Sequence, residues 1–285
     1  MKFFISFSLL ASILFSFNVD ISNSTISNGR TAIIEFKKEK SIEYKRLVFD
    51  KKSYKIYKHP LDAKKMYVLL PVSYYEKPSD KKVEVLYSEN SKEKRKTIFF
   101  RIEDGKYKKE KIHVQKSKVN PKNKEVKKRI AKEYAEAMKI YGTSTPISKI
   151  SSKFIAPMKS KITSSFGKAR VYNDTLNGYH SGTDYRAKVG TPIKASNDGV
   201  VVLVKERFYS GGTVILDHGH GIYTCYYHMS DFGVKKGQLV NKADVIGLSG
   251  VSGRVTGPHL HFSARVGGEQ VDPLQLIELL NKNLF

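Results

Sequence analysis

Between residues 31 and 115, short runs of β-branched and aromatic residues alternate with polar turn signals. The runs fall at 31–36, 42–49, 54–57, 66–70, 83–87, 97–102 and 112–115. Pro60-Leu61-Asp62, Pro78-Ser79-Asp80 and Asp104-Gly105 break them apart. Seven short strands at this spacing predict a β-sandwich, Ig-like in broad architecture, over residues 31–116. Its two histidines, His59 and His113, stand alone and are expected to be packed or surface residues.

The period then changes. Asn120 suits a helix cap and Pro121 a first turn, and Val126, Ile130, Tyr134, Met138 and Tyr141 follow at steps of four and three. This spacing predicts a connecting helix over 120–142, stopped by Gly142. Seventeen of the 20 glycines lie beyond Gly142, interleaved with strand-like runs at 199–204, 212–216, 222–227 and 260–266. A mainly antiparallel β domain is expected over 150–285. It closes on a short helix from Pro273 to Leu284 with Leu274, Leu276, Ile277 and Leu280 inward. The fold class is therefore mainly β, with a sandwich, a connecting helix and a second β domain.

The N-terminus changes the setting. Lys2 precedes an uncharged, mostly apolar run of 15 residues from Phe3 to Phe17. This matches a signal-peptide core and is short of the ~20 residues of a membrane span. No small-x-small cleavage signal stands near Ser16–Val19, so residues 1–21 read as a signal peptide or a retained N-terminal anchor. Either way the rest is expected to be exported, after a polar linker at 22–30.

Charge adds a partner class. The formal net charge is +24, from 51 basic and 27 acidic residues. From Gly142 onward there are 17 basic and 10 acidic residues, a net of +7; the remaining 34 and 17 give the first half +17. Such a balance suits polyanions. Export turns the expectation away from nucleic acid and toward cell wall, acidic glycan or an anionic lipid surface. A solvated lysine-rich surface accounts for it equally well. The single cysteine, Cys225, excludes an intrachain disulfide and a Cys-rich structural zinc site.

Six of the eight histidines fall between 180 and 261. His180-Ser-Gly-Thr-Asp184 and His259-Leu-His261 together offer two kinds of donor, imidazole and carboxylate. This is a set that leaves a zinc ion one open position for chemistry. Residues i and i+2 of a strand share a face, so His259 and His261 are expected to reach one cleft. The helical HExxH motif is absent, so a histidine must move the protons. His228 and one member of the His259/His261 pair are the candidates. His218-Gly-His220 is read as a glycine turn between strands, and Cys225 as a packed residue.

Residues 155–273 resemble the lysostaphin-like zinc metallopeptidases, which cut peptide cross-links in bacterial cell walls. The strings that carry the resemblance are Ile162-Thr-Ser-Ser-Phe-Gly167, His180-Ser-Gly-Thr-Asp-Tyr185, Gly190-Thr-Pro-Ile193, Ala195-Ser-Asn-Asp-Gly-Val200, Thr224-Cys-Tyr-Tyr-His228, Ser252 to Phe262 and Val271-Asp-Pro273. The resemblance implies one Zn²⁺ per chain on His180, Asp184 and His261. It implies catalytic assistance from His228 and His259, and a groove between β-sheets walled by loops. The function it implies is an exported zinc peptidase acting on peptidoglycan stem peptides or cross-links in the periplasm or cell envelope. That would be a DD-endopeptidase, with DD-carboxypeptidase activity open. The alternative is a non-catalytic peptidoglycan-binding or regulatory protein on the same fold. Peptidoglycan is the expected partner, with no nucleic acid, and the N-terminal segment a candidate membrane anchor. Oligomeric state, and which of His228 and His259 acts as base, stay open. An upstream sandwich in this position is expected to cover the groove, to target the wall or to dimerise.

Overall fold

The computed structural model describes residues 19–112, 121–172 and 175–285. The apolar run expected to direct export, the lone His113 and the helix-opening Asn120 lie outside the described residues.

Two sheets form the first half. One runs in the order Val19–Ile21, Thr31–Lys37, Lys65–Pro71, Tyr57–Lys58; the other in the order Thr25–Ser27, Lys92–Glu103, Ser79–Glu89, Ile42–Phe49, Lys52–Lys55. Ile34, Phe36, Val68 and Leu70 from the first sheet meet Leu47, Val85 and Phe100 from the second. The polar stretch expected to be a linker at 22–30 instead carries a strand. Thr25–Ser27 pairs in parallel with Lys92–Glu103, and Val19–Ile21 pairs with Thr31–Lys37. Ile26 is the one apolar side chain of the Thr25–Ser27 strand, and it is buried. A single apolar residue between Thr and Ser leaves no alternating pattern to read.

The strand Thr31–Lys37 is buried at four successive positions, Thr31 to Ile34. A sheet with one wet face cannot show this run; both faces must be covered. Alternate residues Ile33, Tyr67 and Leu69 turn away from the sandwich and pack on Ile222, Ala264, Leu276 and Leu280 of the second half. Separating the halves would expose these side chains at roughly 1.5–3 kcal/mol each. The Gln275 side-chain amide adds two bonds to the backbone of Thr31, 3.0 Å to its N–H and 2.9 Å to its C=O.

Helix α1 spans Lys124–Tyr141. Its cap is Asn123, whose Oδ1 accepts from the N–H groups of Glu125 and Val126, so the helix starts later than Asn120 and Pro121 suggested. Its buried residues are Glu133, Ala137 and Tyr141, while Tyr134 is 64% exposed. The packed face is therefore rotated from the expected stripe. Glu133 is buried because its carboxylate accepts from Arg129 Nε at 2.7 Å and from the Phe208 N–H at 2.9 Å. These bonds offset the cost of burying a charge. Helix α2, Pro273–Asn283, is capped by Asp272 and buries Leu276 and Leu280.

The second half is built on a large sheet in the order Ile162–Ser164, Thr183–Arg186, His259–Val266, Ile222–Phe232, Gly211–Asp217, Gly199–Arg207, Leu239–Val240. A small sheet stands beside it. There Lys109–Ile112 runs parallel to Ala169–Tyr172, which pairs antiparallel with Thr175–Tyr179. Of the strand expected at 112–115 only Ile112 is among the described residues; it ends the strand Lys109–Ile112, which pairs with the second half.

Candidate metal centre and its cavity

Antiparallel pairing of Thr183–Arg186 with His259–Val266 sets Asp184 opposite His261 and Arg186 opposite His259. Directly opposed side chains on one face are close neighbours. His180 comes in from the turn ahead of the strand. Gly182 permits that approach, since a Cβ there would lie 2.3 Å from the Phe262 carbonyl oxygen and 2.7 Å from His261 Nε2.

Three ligand atoms meet. Asp184 Oδ1 lies 2.9 Å from His180 Nε2 and 2.7 Å from His261 Nδ1, and the two nitrogens are 3.0 Å apart. His180 Nδ1 donates to the carbonyl of Ser165 at 2.8 Å, which leaves Nε2 as a lone pair when the ring is neutral. That lone pair faces a carboxylate oxygen and a second imidazole nitrogen. One proton satisfies one of these contacts; a cation at the meeting point satisfies all three. Two imidazole nitrogens and one carboxylate oxygen fit Zn²⁺. Burial alone would raise the Asp184 pKa, but its hydrogen bonds and charge interactions with His180 and His261 drive it well below the usual carboxylate range. Burial lowers His261 to about 4 against the pull of Asp184. Asp184 and His261 are thus poised deprotonated, the form that binds metal.

His228 and His259 stand beside this point. Their ring centroids are 4.8 Å apart, and His259 Nε2 is 3.7 Å from Asp184 Oδ1. Each donates from Nδ1 to a carbonyl at 2.8 Å, His228 to Ser252 and His259 to Gly257, which leaves Nε2 as the acceptor. Burial, then the neighbouring His261 and His259, lowers His228 to about 3. In a regular strand Tyr227 and His228 would point to opposite faces. Here His228 has a φ of +62°, which breaks the alternation, and both side chains line one cavity. A non-glycine residue held in this region is strained, a feature that marks functional sites.

The cavity is about 640 Å³. Besides the five sequence-expected residues, its walls include Arg170, Tyr227, Arg254 and, from the chain ahead of residue 150, Glu110 and the α1 residues Tyr134 and Met138. Sequence reasoning gave none of these a role in the site, and it placed Tyr134 and Met138 only in the apolar stripe of the helix. Glu110 arrives only through the pairing of Lys109–Ile112 with Ala169–Tyr172, and nothing in its local sequence marks it. Ser164 lies inside a string quoted for the resemblance, so it was within reach.

The second HxH pair lies elsewhere. His218 donates from Nδ1 to the Asp198 carbonyl and accepts from Thr224 Oγ1, both at 2.7 Å. His220 accepts from the Tyr67 hydroxyl at 2.6 Å and stacks on Tyr57 at 4.0 Å between centroids. This turn holds the two halves together. Cys225 is fully buried, and burial raises its thiol pKa, so it packs and does not attack.

Residues 178–273, which contain all five clustered residues, match Peptidase family M23. That segment belongs to peptidase family M23. It is 43% identical over 118 residues to the peptidoglycan DD-endopeptidase ShyA of Vibrio cholerae, covering 41% of this chain and 27% of that protein. It is 42% identical over 97 residues to the DD-carboxypeptidase/endopeptidase Mpg of Neisseria meningitidis, covering 34% of this chain and 22% of that protein. The chain thus spans about a quarter of the length of these curated relatives. A Pseudomonas aeruginosa crystal structure, described as a candidate M23 peptidase, aligns over 89% of this chain and 95% of its own. Its TM-score is 0.68 and its identity 25%. The likeness therefore extends through the sandwich, well beyond the M23 segment.

Proposed function

We propose that this chain is an exported zinc peptidase that hydrolyses peptide bonds in peptidoglycan stem peptides or cross-links. The observation that carries the reading is the convergence of His180, Asp184 and His261 on one point, with His228 and His259 alongside, in one cavity of an M23 domain. The names of the relatives ShyA and Mpg support a D-Ala cross-link as the bond cut. The basic, uncharged-then-polar N-terminus supports export to the periplasm or cell envelope.

His180 Nε2, Asp184 Oδ1 and His261 Nδ1 would hold one zinc ion per chain. Zinc in such a site supplies Lewis acidity toward a carbonyl and lowers the pKa of water to ~7. The chain's own residues supply the rest. His228 and His259 each keep Nδ1 occupied by a carbonyl, so each offers Nε2 as a base. One takes a proton from the attacking water. The same ring, once protonated, returns that proton to the departing amine, while the other imidazole flanks the tetrahedral centre. The strained backbone at His228 and the carbonyls of Ser252 and Gly257 hold both rings in place before substrate arrives.

The test is digestion of purified sacculi, with muropeptides read by mass spectrometry. Wild type with zinc releases new amino groups at D-Ala cross-links, and His259→Ala or chelation stops the release. Sacculi that bind the zinc-loaded protein yet yield no new amines would establish the non-catalytic wall-binding alternative instead.

A further inference from the structure

Glu110 lies outside the M23 segment, yet it reaches two of the three metal-facing side chains. Its strand register sets it opposite Arg170. Glu110 Oε2 is 3.2 Å from Arg170 Nε, and Arg170 continues to Asp184 Oδ2 at 3.3 Å. By a second route Ser164 Oγ sits 3.1 Å from each Glu110 oxygen and 3.2 Å from His180 Nδ1. Lys168 Nζ closes the network on Glu110 Oε1 at 3.0 Å.

The geometry points to Glu110 as a positioning residue for the metal centre, acting through Arg170 and Ser164. This inference rests on the zinc reading above. Asp184 has two oxygens. Oδ1 faces the two histidine nitrogens; Oδ2 is held by Arg170, so one oxygen only is offered to the metal. An arginine beside a dication is costly unless its charge is balanced, and Glu110 supplies the balance. Glu110 thus serves both orientation and charge. Partners of this kind around ligand side chains are worth about 10–100-fold in metal affinity. The segment upstream of α1 is accordingly part of the metal centre.

The measurement is zinc affinity of the full chain, by competition with a chromophoric chelator, together with the visible spectrum of the Co²⁺-loaded protein. Glu110→Gln is expected to weaken zinc binding about 10–100-fold and to alter the cobalt bands. Lys168→Gln alters a side chain that touches Glu110 and neither ligand side chain, leaves the bond from the His180 N–H to the Lys168 carbonyl (2.8 Å) in place, and weakens zinc binding far less. In an Arg170→Gln background the Glu110→Gln effect shrinks, because the two residues act in series. Should Glu110→Gln fail to fold by circular dichroism, Ser164→Ala tests the His180 branch in the same way. Unchanged zinc affinity in folded Glu110→Gln overturns the inference. Faster wall digestion at unchanged affinity does so too, since that marks an obstructing contact. If the unaltered chain binds no zinc, the peptidase reading itself falls.

Discussion

Asp184 and His261 are direct cross-strand partners, and Asp184 Oδ1 lies 2.7 Å from His261 Nδ1. One strand register therefore fixes two of the three groups that would hold the metal. Asp184→Asn removes the charge at their meeting point while preserving shape. Adding zinc to the wild-type chain is expected to raise its melting temperature by several degrees, since a ligand at 100 times its Kd contributes about 2.7 kcal/mol. Asp184→Asn abolishes that rise. A full rise in the variant would place the ion elsewhere.

His228 and His259 are expected to separate chemistry from metal binding. Replacing either by alanine lowers kcat on cross-linked muropeptides by about 10²–10⁴-fold, the usual contribution of a general acid or base. Zinc content stays at the wild-type level. Loss of zinc in parallel with activity would make the altered residue a ligand.

Gly182 is needed for close approach. A Cβ there collides with the Phe262 carbonyl at 2.3 Å. Gly182→Ala is expected to cost about 1–3 kcal/mol in stability, as overpacking does, and to weaken zinc binding by pushing His180 off. A melting curve and a zinc titration check both. Wild-type values in each would show that the turn can move aside.

His218 and His220 make stability fall in acid. Burial lowers both to about 4 from an ordinary 6.5, so the folded chain holds them neutral while the unfolded chain takes up protons first. Their contribution is complete above pH 6.5 and is lost as pH falls from there to about 4. For fully buried His218 alone the loss is about 3 kcal/mol. Urea midpoints between pH 7 and 4.5 check this. The slope for His220→Gln should be shallower than that of the wild type; parallel slopes would remove His220 from the account.

Some of this organisation is local and could be read directly. Period-two alternation put His259 and His261 on one face, and both line the cavity. Period 3.6 located both helices. It misjudged the inward face of α1, because burial depends on the partner surface. Glu133 is drawn in by the Phe208 N–H, while Tyr134 stays out at the cavity rim.

By itself the order of residues determined the mainly β character, the two-part layout joined by a helix, and the donor types suited to a zinc ion. Those are properties of residue chemistry and short-range spacing, which no distant contact has to supply. Only the tertiary structure decided that Glu110 supports Asp184 through Arg170, and that His220 is sandwiched against Tyr57 and Tyr67. It also decided that Tyr227 and His228 share a face. Each depends on strand register, or on a backbone angle that the surroundings impose, and long-range pairing leaves no trace in the local pattern.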